Sequence, residues 1–199
     1  MSAVKTIRNT IVEDPPLVRR LLSDTRAGWI WLLPRIWLGY QWIQAASHKV
    51  FEPKWVETGE ALQGFWLNAV KIPEAGRPLI AFGWYRMFIQ SMLDAEAYTW
   101  FAKLVAYGEL LVGIALVLGA FTGIAAVLAG FMNWNFMMAG AASTNPVLFL
   151  VAVGLILAWK VSGYIGLDFF LLRWLGTPWS SAVSTERTAR PLVKPSPPD

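Results

Sequence analysis

Three ionisable side chains lie in long apolar surroundings, Arg35, Lys103 and Glu109, and His48 beside Lys49 closes the first apolar run. A carboxylate is a general base or proton carrier, and guanidinium and ammonium groups bind oxyanions or carbonyl oxygens. Histidine is the side-chain type that changes charge near neutral pH. Ionisable groups inside a membrane are costly to bury, and are therefore functional candidates by default. A second set lies in FMNWNFMMAGAASTNP (131–146), where Asn133 and Asn135 flank Trp134 near the end of an apolar run. Each carboxamide needs hydrogen-bond partners that lipid cannot supply.

Spacing sorts these residues. At 100° per residue, Arg35, Gly39, Trp42, Ala46 and Lys49 share one stripe of a helix. Ala102, Ala106, Glu109, Gly113 and Ala120 form a comparable small-residue stripe on another. Glu109 is then expected to face a neighbouring helix. Depths counted at ~1.5 Å per residue put Arg35 and Glu109 within about 5 Å of each other along the bundle. The expectation is an Arg35–Glu109 ion pair, which either locks the bundle or handles protons or a polar headgroup. Asn133 and Asn135 point about 200° apart and cannot serve one site together. Asn133 continues the stripe Gly123, Ala126, Gly130, Met137, Gly140, whereas Asn135 looks past Leu128, Met132 and Ala139. That helix is expected to meet protein on both sides, its own bundle on one and a partner subunit or an outer cap on the other. Interhelical hydrogen bonding is the plain role for the asparagines, and ligand binding the alternative. Trp134 would suit an aromatic wall for a flat ligand.

The elements that must position these groups are membrane helices. Only 15% of the 199 residues are charged, against 56% hydrophobic, with 12 Trp and 11 Phe. A soluble domain carries about 25% charge, so the expectation is an all-α integral membrane protein, a four-transmembrane-helix bundle with spans at 28–47, 98–119, 121–142 and 146–164. Lys103 and Lys160 sit where they can snorkel to an interface. Residues 1–27 form a polar cytoplasmic tail without a cleavable signal, 28–176 the membrane domain, and 177–199 a polar, Pro-rich tail that is disordered or partner-bound. The long loop at 49–97 carries two amphipathic segments, 54–70 and 79–93, with Trp55, Leu62, Phe65, Trp66 and Ala69 on one face and Phe82, Tyr85, Phe88, Ile89 and Met92 on the other. Segment 166–176 resembles them, with Asp168 as a cap at its start. Lys5, Arg8, Arg19, Arg20 and Arg26 precede the first span, and Lys160, Arg173, Arg187, Arg190 and Lys194 follow the last. The 49–97 loop holds Lys49, Lys54, Lys71, Arg77 and Arg86. The bias places both termini in the cytoplasm of a multi-pass protein of the cell (inner, cytoplasmic) membrane, with the loop outside.

Several classes are excluded. The chain has no cysteine and one histidine, so it alone provides no disulfide exchange, thiolate-held metal, iron–sulfur cluster or bis-His haem, and no metal site is expected. Its net charge of +4 gives no sign of nucleic acid. Without an internal repeat or broken helix pairs, a transporter is a poor fit.

RIWLGYQWIQAASHK (35–49) resembles the opening motif of the DoxX-like family: Arg, Gly four residues on, and Lys at the end of the first span. GELLVGIALVLGAFTGIAAVLAGFMNWNFMMAG (108–140) is similar to its second and third spans, and STNPVLF and GYIGLDFFL to its fourth span and ending. The resemblance covers about 28–175, with 49–97 loosely matched. It departs at Ala45-Ala46-Ser47, where the family often shows a glycine. It implies a membrane subunit of thiosulfate:quinone oxidoreductase (DoxD) type, in which an outward-facing soluble partner delivers electrons to membrane quinone. Other relatives partner oxidative-stress complexes. Arg35, Lys49 and Glu109 match the family's polar positions. They are carried over as quinone-binding candidates, with Asn133 and Trp134 added as the polar and aromatic lining. Arg35, Glu109 and His48 are the candidates for catalysis, His48 as the proton-exchanging group under the outer helices. No cofactor is expected to be held covalently. The alternative is a non-catalytic accessory subunit of a larger respiratory or photosynthetic membrane complex. Either way the partners are membrane lipid and other protein subunits.

Overall fold

The computed structural model describes residues 14–176. The segment 1–13 and the Pro-rich tail from 177 lie outside the described residues. Every regular element among those described is helical. A short helix α1 (Pro16–Ser23) and a 3₁₀ turn (Thr25–Ala27) lead into the long α2 (Gly28–Val50). Thus the second half of the expected N-terminal tail is folded. Next come α3 (Pro53–Val56), α4 (Glu60–Val70) and α5 (Gly83–Asp94), then α6 (Tyr98–Leu118) and α7 (Thr122–Met138). The chain ends in α8 (Asn145–Leu157), α9 (Trp159–Ser162) and α10 (Asp168–Trp174).

Four long helices, α2, α6, α7 and α8, pack around one core. Its centre is Leu38, Leu116 and Leu155, filled out by Ala126, Ala129 and Ala152. The most extensive contact is α2 against α6, and it is antiparallel. Small residues permit it: a methyl group on Gly39 would stand 2.8 Å from the Gly113 carbonyl oxygen, and one on Gly113 2.9 Å from the Gly39 carbonyl oxygen. Both expected stripes are realised, with Arg35, Gly39, Trp42 and Ala46 buried on α2 and Ala102, Ala106, Glu109 and Gly113 buried on α6.

α6 is the one helix among the described residues that is long and apolar enough, by length and composition alone, to cross a membrane. The other expected spans differ in detail. α2 has 23 residues but carries Arg35, Gln41, Gln44, His48 and Lys49. α7 stops at Met138, before Gly140 turns the chain with φ of 86°. The fourth run is broken at Ala158 into α8 and α9. The lateral surface of all four helices is nevertheless apolar: Leu33, Trp37, Leu104, Leu111, Ile124, Phe131 and Leu150 are exposed.

The loop between α2 and α6 folds over one end of the bundle, here termed the loop end. α4 and α5 bury Leu62, Trp66, Ala69, Tyr85 and Ile89 in a second core against Ala102 and Ala139. Five of the expected amphipathic positions are therefore buried, and Trp55, Phe65 and Met92 pack against them. Phe82 and Phe88 are not; they are half exposed, and Leu93 is buried in their stead. Asn135 meets this cap, one of the two contacts expected for it: Tyr85 donates its hydroxyl to the Asn135 side-chain oxygen at 3.1 Å.

The opposite end is clasped by the segment entering α10. The Leu167 and Asp168 amides donate to the Leu118 and Gly119 carbonyls (3.1 and 2.7 Å), satisfying acceptors that the end of α6 leaves open. The Asp168 carboxylate accepts from the Phe121 and Thr122 amides. It therefore caps the start of α7 rather than its own helix, which corrects the expectation. The cap also holds Phe121 in left-handed conformation (φ 47°), a position costly for a side chain with a Cβ.

Candidate functional site at the loop end

The expected Arg35–Glu109 pair does not form. Glu109 is fully buried and receives Lys49, whose ammonium reaches both carboxylate oxygens at 2.5 and 2.6 Å. Arg35 instead donates to the Ser162 and Ile165 carbonyls (2.9 and 2.8 Å) at the clasped end, near Asp168. The reason is side-chain direction. Every Cα–Cβ bond of a helix tilts toward its N-terminus. Because α2 and α6 are antiparallel, Lys49 leans down the bundle and Glu109 leans up toward the loop end, so they converge. Arg35 leans the same way as Lys49, away from Glu109, and its guanidinium lies against Gly119, ten residues past Glu109 on the chain. Cα depth alone, from which the expectation was built, misses this tilt.

The Lys49 ammonium also lies 5.0 Å from the Trp55 ring centre and 5.2 Å from that of Phe136. Both ring faces favour a cation. Three elements thus hold one ammonium: α6 by charge, α3 and α7 by aromatic rings. The lysine side chain keeps 18% of its surface accessible, whereas Glu109 keeps none.

That accessible surface opens into a cavity of ≈ 420 Å³. Gln41, Gln44, His48 and Lys49 line it from α2, Glu109 from α6, Phe136 from α7, and Thr144 and Asn145 from the start of α8. Gln41, Gln44, Ala45 and His48 follow i, i+3, i+4, i+7 spacing. Sequence reasoning missed this polar stripe although its period was readable. Asn145 was missed for another reason: its carboxamide is fixed to the Ala141 carbonyl at 2.7 Å by a turn that pattern does not show. Trp42, also in the lining, is buried with an indole N–H that finds no protein acceptor.

The remaining candidates separate. His48 is exposed at the cavity rim and is not covered by α4 or α5. Asn133 is fully buried, one turn from Phe136, and neither end of its carboxamide has a protein partner. The expected interhelical hydrogen bond is thus not made. Trp134 faces away, stacked on Phe131 (6.2 Å, 28°) and edge-on to Tyr85 (6.2 Å). It forms no wall of the cavity. Arg35 lies fourteen positions from Lys49 on α2, roughly 20 Å along the axis. It belongs to the clasp. Among the described residues no group of three or more His, Asp or Glu side chains is placed to hold a metal ion.

The arrangement can therefore present a positive hydrogen-bond donor, neutral amides and a buried carboxylate to one polar ligand of modest size. Comparison with protein-family models, with curated proteins and with solved structures finds no match to this chain.

Proposed function

We propose that this chain is the quinone-interacting membrane subunit of an oxidoreductase complex, of the thiosulfate:quinone type suggested by its resemblance to the DoxX-like family. In this reading α2, α6, α7 and α8–α9 cross the cell membrane as four spans. Both termini are cytoplasmic and the α3–α5 cap is outside. The exposed large apolar side chains around all four helices support the embedding, since water-soluble monomers rarely show such continuous surfaces.

The observation that carries the functional reading is the accessible Lys49 ammonium, held over buried Glu109 in a polar cavity. The cavity falls in the size range of small-molecule sites. The lining fits a quinone headgroup: Lys49, the glutamine amides and the unpartnered Trp42 N–H are donors suited to carbonyl oxygens. When bound, a quinone takes up two electrons and two protons. Lys49 binds and orients a carbonyl oxygen and holds a proton at its Nζ. Glu109 keeps that ammonium charged and aimed, and a proton that Lys49 gives up at Nζ is replaced by one from solvent. His48, at the rim, exchanges protons with water. Electrons come from a soluble partner at the loop end.

Gentle native purification, with mass identification of each chain that accompanies this one, tests the reading. One outward-facing soluble partner, and thiosulfate-dependent quinone reduction that Lys49→Met abolishes, are expected. His48→Ala should shift the pH profile of turnover, and an unchanged profile removes His48 from the proton route. Co-purification with a many-subunit electron-transfer complex, with turnover indifferent to Lys49, would support an accessory subunit instead. The apolar groove between α7 and α8–α9, formed by Gly123, Val127, Ile156 and Trp159, favours that second reading.

A further inference from the structure

The N-terminal helix carries an observation that the loop-end site does not use. In α1, PLVRRLLS, Leu17, Val18, Leu21 and Leu22 cover one arc of about 140°, and Arg19, Arg20 and Ser23 the opposite arc. Such a short helix gains little from burial here, since none of its residues is buried. Leu17 is 76% exposed. The helix is nevertheless placed firmly. The Trp31 indole donates to the Leu21 carbonyl at 2.9 Å, Asp24 accepts from the Arg26 amide at 2.9 Å, and α1 packs beside α9. Its apolar arc continues into Ile30 at the exposed start of α2.

Between α1 and α2 lies a cavity of ≈ 340 Å³. Leu17, Leu21, Ala27 and Ile30 make its apolar wall, and Arg20, Arg26 and Asp24 its polar side. Both arginines are exposed, and among the described residues neither forms an ion pair. Asp24 is partly engaged by the Arg26 amide, so the site is net cationic. Two free guanidiniums above an apolar wall match a ligand with an anionic head and a hydrocarbon body. Guanidinium forks suit phosphate oxygens better than an ammonium does.

We propose that α1 and the following turn form a binding site for an anionic phospholipid of the cytoplasmic leaflet. Arg20 and Arg26 take the phosphate, and Leu17, Leu21 and Ile30 the start of the acyl chains. The site rests on the membrane embedding proposed above but not on quinone chemistry. It fixes the depth of α2 and hence of the bundle.

The test uses the full chain purified in mild detergent. Native mass spectrometry would count retained dioleoylphosphatidylglycerol, dioleoylphosphatidylcholine of the same chains, and inorganic phosphate. Phosphatidylglycerol should be retained in preference to phosphatidylcholine, and phosphate should neither bind nor compete. Each arginine near an anionic lipid contributes about fivefold, so Arg20→Gln with Arg26→Gln should weaken retention roughly twenty-five-fold. Lys54→Gln, at the other end, should leave it unchanged. Equal retention by the double variant, equal retention of both lipids, or displacement by inorganic phosphate would each overturn the site. Carbonate washing of cell membranes reads the embedding separately. A chain that washes off refutes the membrane reading, whereas a double variant that stays in the pellet while losing phosphatidylglycerol isolates the headgroup site.

Discussion

At the scale of single residues, the decisive contact is Lys49 on Glu109. Removing one member of a buried pair strands the other charge, at a cost of about 3–5 kcal/mol, whereas replacing both by apolar groups is often neutral. With Lys49 18% accessible the low end applies. Lys49→Met should therefore lower the thermal midpoint of the detergent-purified chain clearly, and Lys49→Met with Glu109→Leu should recover most of it. A double variant no more stable than the single would show that the pair is not coupled in this way. Tyr85, in the α5 cap, is a second case. Burial pushes its phenol from the ordinary 10 up to about 12, because the phenolate would lose water while the neutral hydroxyl keeps its bond to Asn135. The folded-state value lies above the unfolded one, so the associated stability is full below about pH 10 and lost as pH rises toward 12. Tyr85→Phe should flatten this alkaline decline relative to the parent chain, measured by thermal unfolding across that window. An identical decline in both would remove Tyr85 as its source.

At the scale of elements, two glycines set the distance between α2 and α6, and one aspartate sets the clasp. Gly39→Ala should destabilise by about 1–3 kcal/mol, because its methyl meets backbone atoms that cannot swing aside. Gly108→Ala, on the same pair of helices, meets nothing within 4 Å and should be neutral or stabilising by up to about 1 kcal/mol. If both alanines behave alike in a melting assay, the close approach is not what holds α2 to α6. Asp168→Ala removes the acceptor for two amides of α7 and should cost about 1–2 kcal/mol, as loss of a helix cap does. Asp168→Asn, which keeps one oxygen, should cost less. The helices themselves were legible in sequence from the small-residue stripes. The apolar pattern carries their ends too far: α7 stops in a local cap, with Gly140 left-handed and the Ala141 amide on the Phe136 carbonyl, and the break at Ala158 is likewise closed by bonds within its own segment.

At the scale of the whole molecule, large apolar side chains are exposed around the four long helices, beside an apolar core that also encloses Arg35, Glu109, Asn133 and Asp168. The proposed topology can be read directly, because the chain has no native cysteine. Glu74→Cys in the α4–α5 loop should react with a membrane-impermeant maleimide on intact cells, and Ser23→Cys at the end of α1 should react only after lysis. The opposite pattern would invert the orientation, and labelling of both before lysis would exclude embedding with opposed ends.

The sequence by itself determined the all-helical class, the buried stripes and the two amphipathic segments that the fold places as the loop-end cap. Each follows from periodicity, which is a local property of the chain. It also singled out Glu109 and Arg35, because charge in an apolar run is conspicuous whatever its partner, whereas Lys49 stood out only through the family resemblance. Only the tertiary structure decided who pairs with whom. The tilt of side chains toward each helix's N-terminus, in two antiparallel helices, brings Lys49 and Glu109 together and sends Arg35 to carbonyls more than a hundred residues away in sequence. Partner choice is a vector sum over two helices, and neither helix contains that information alone.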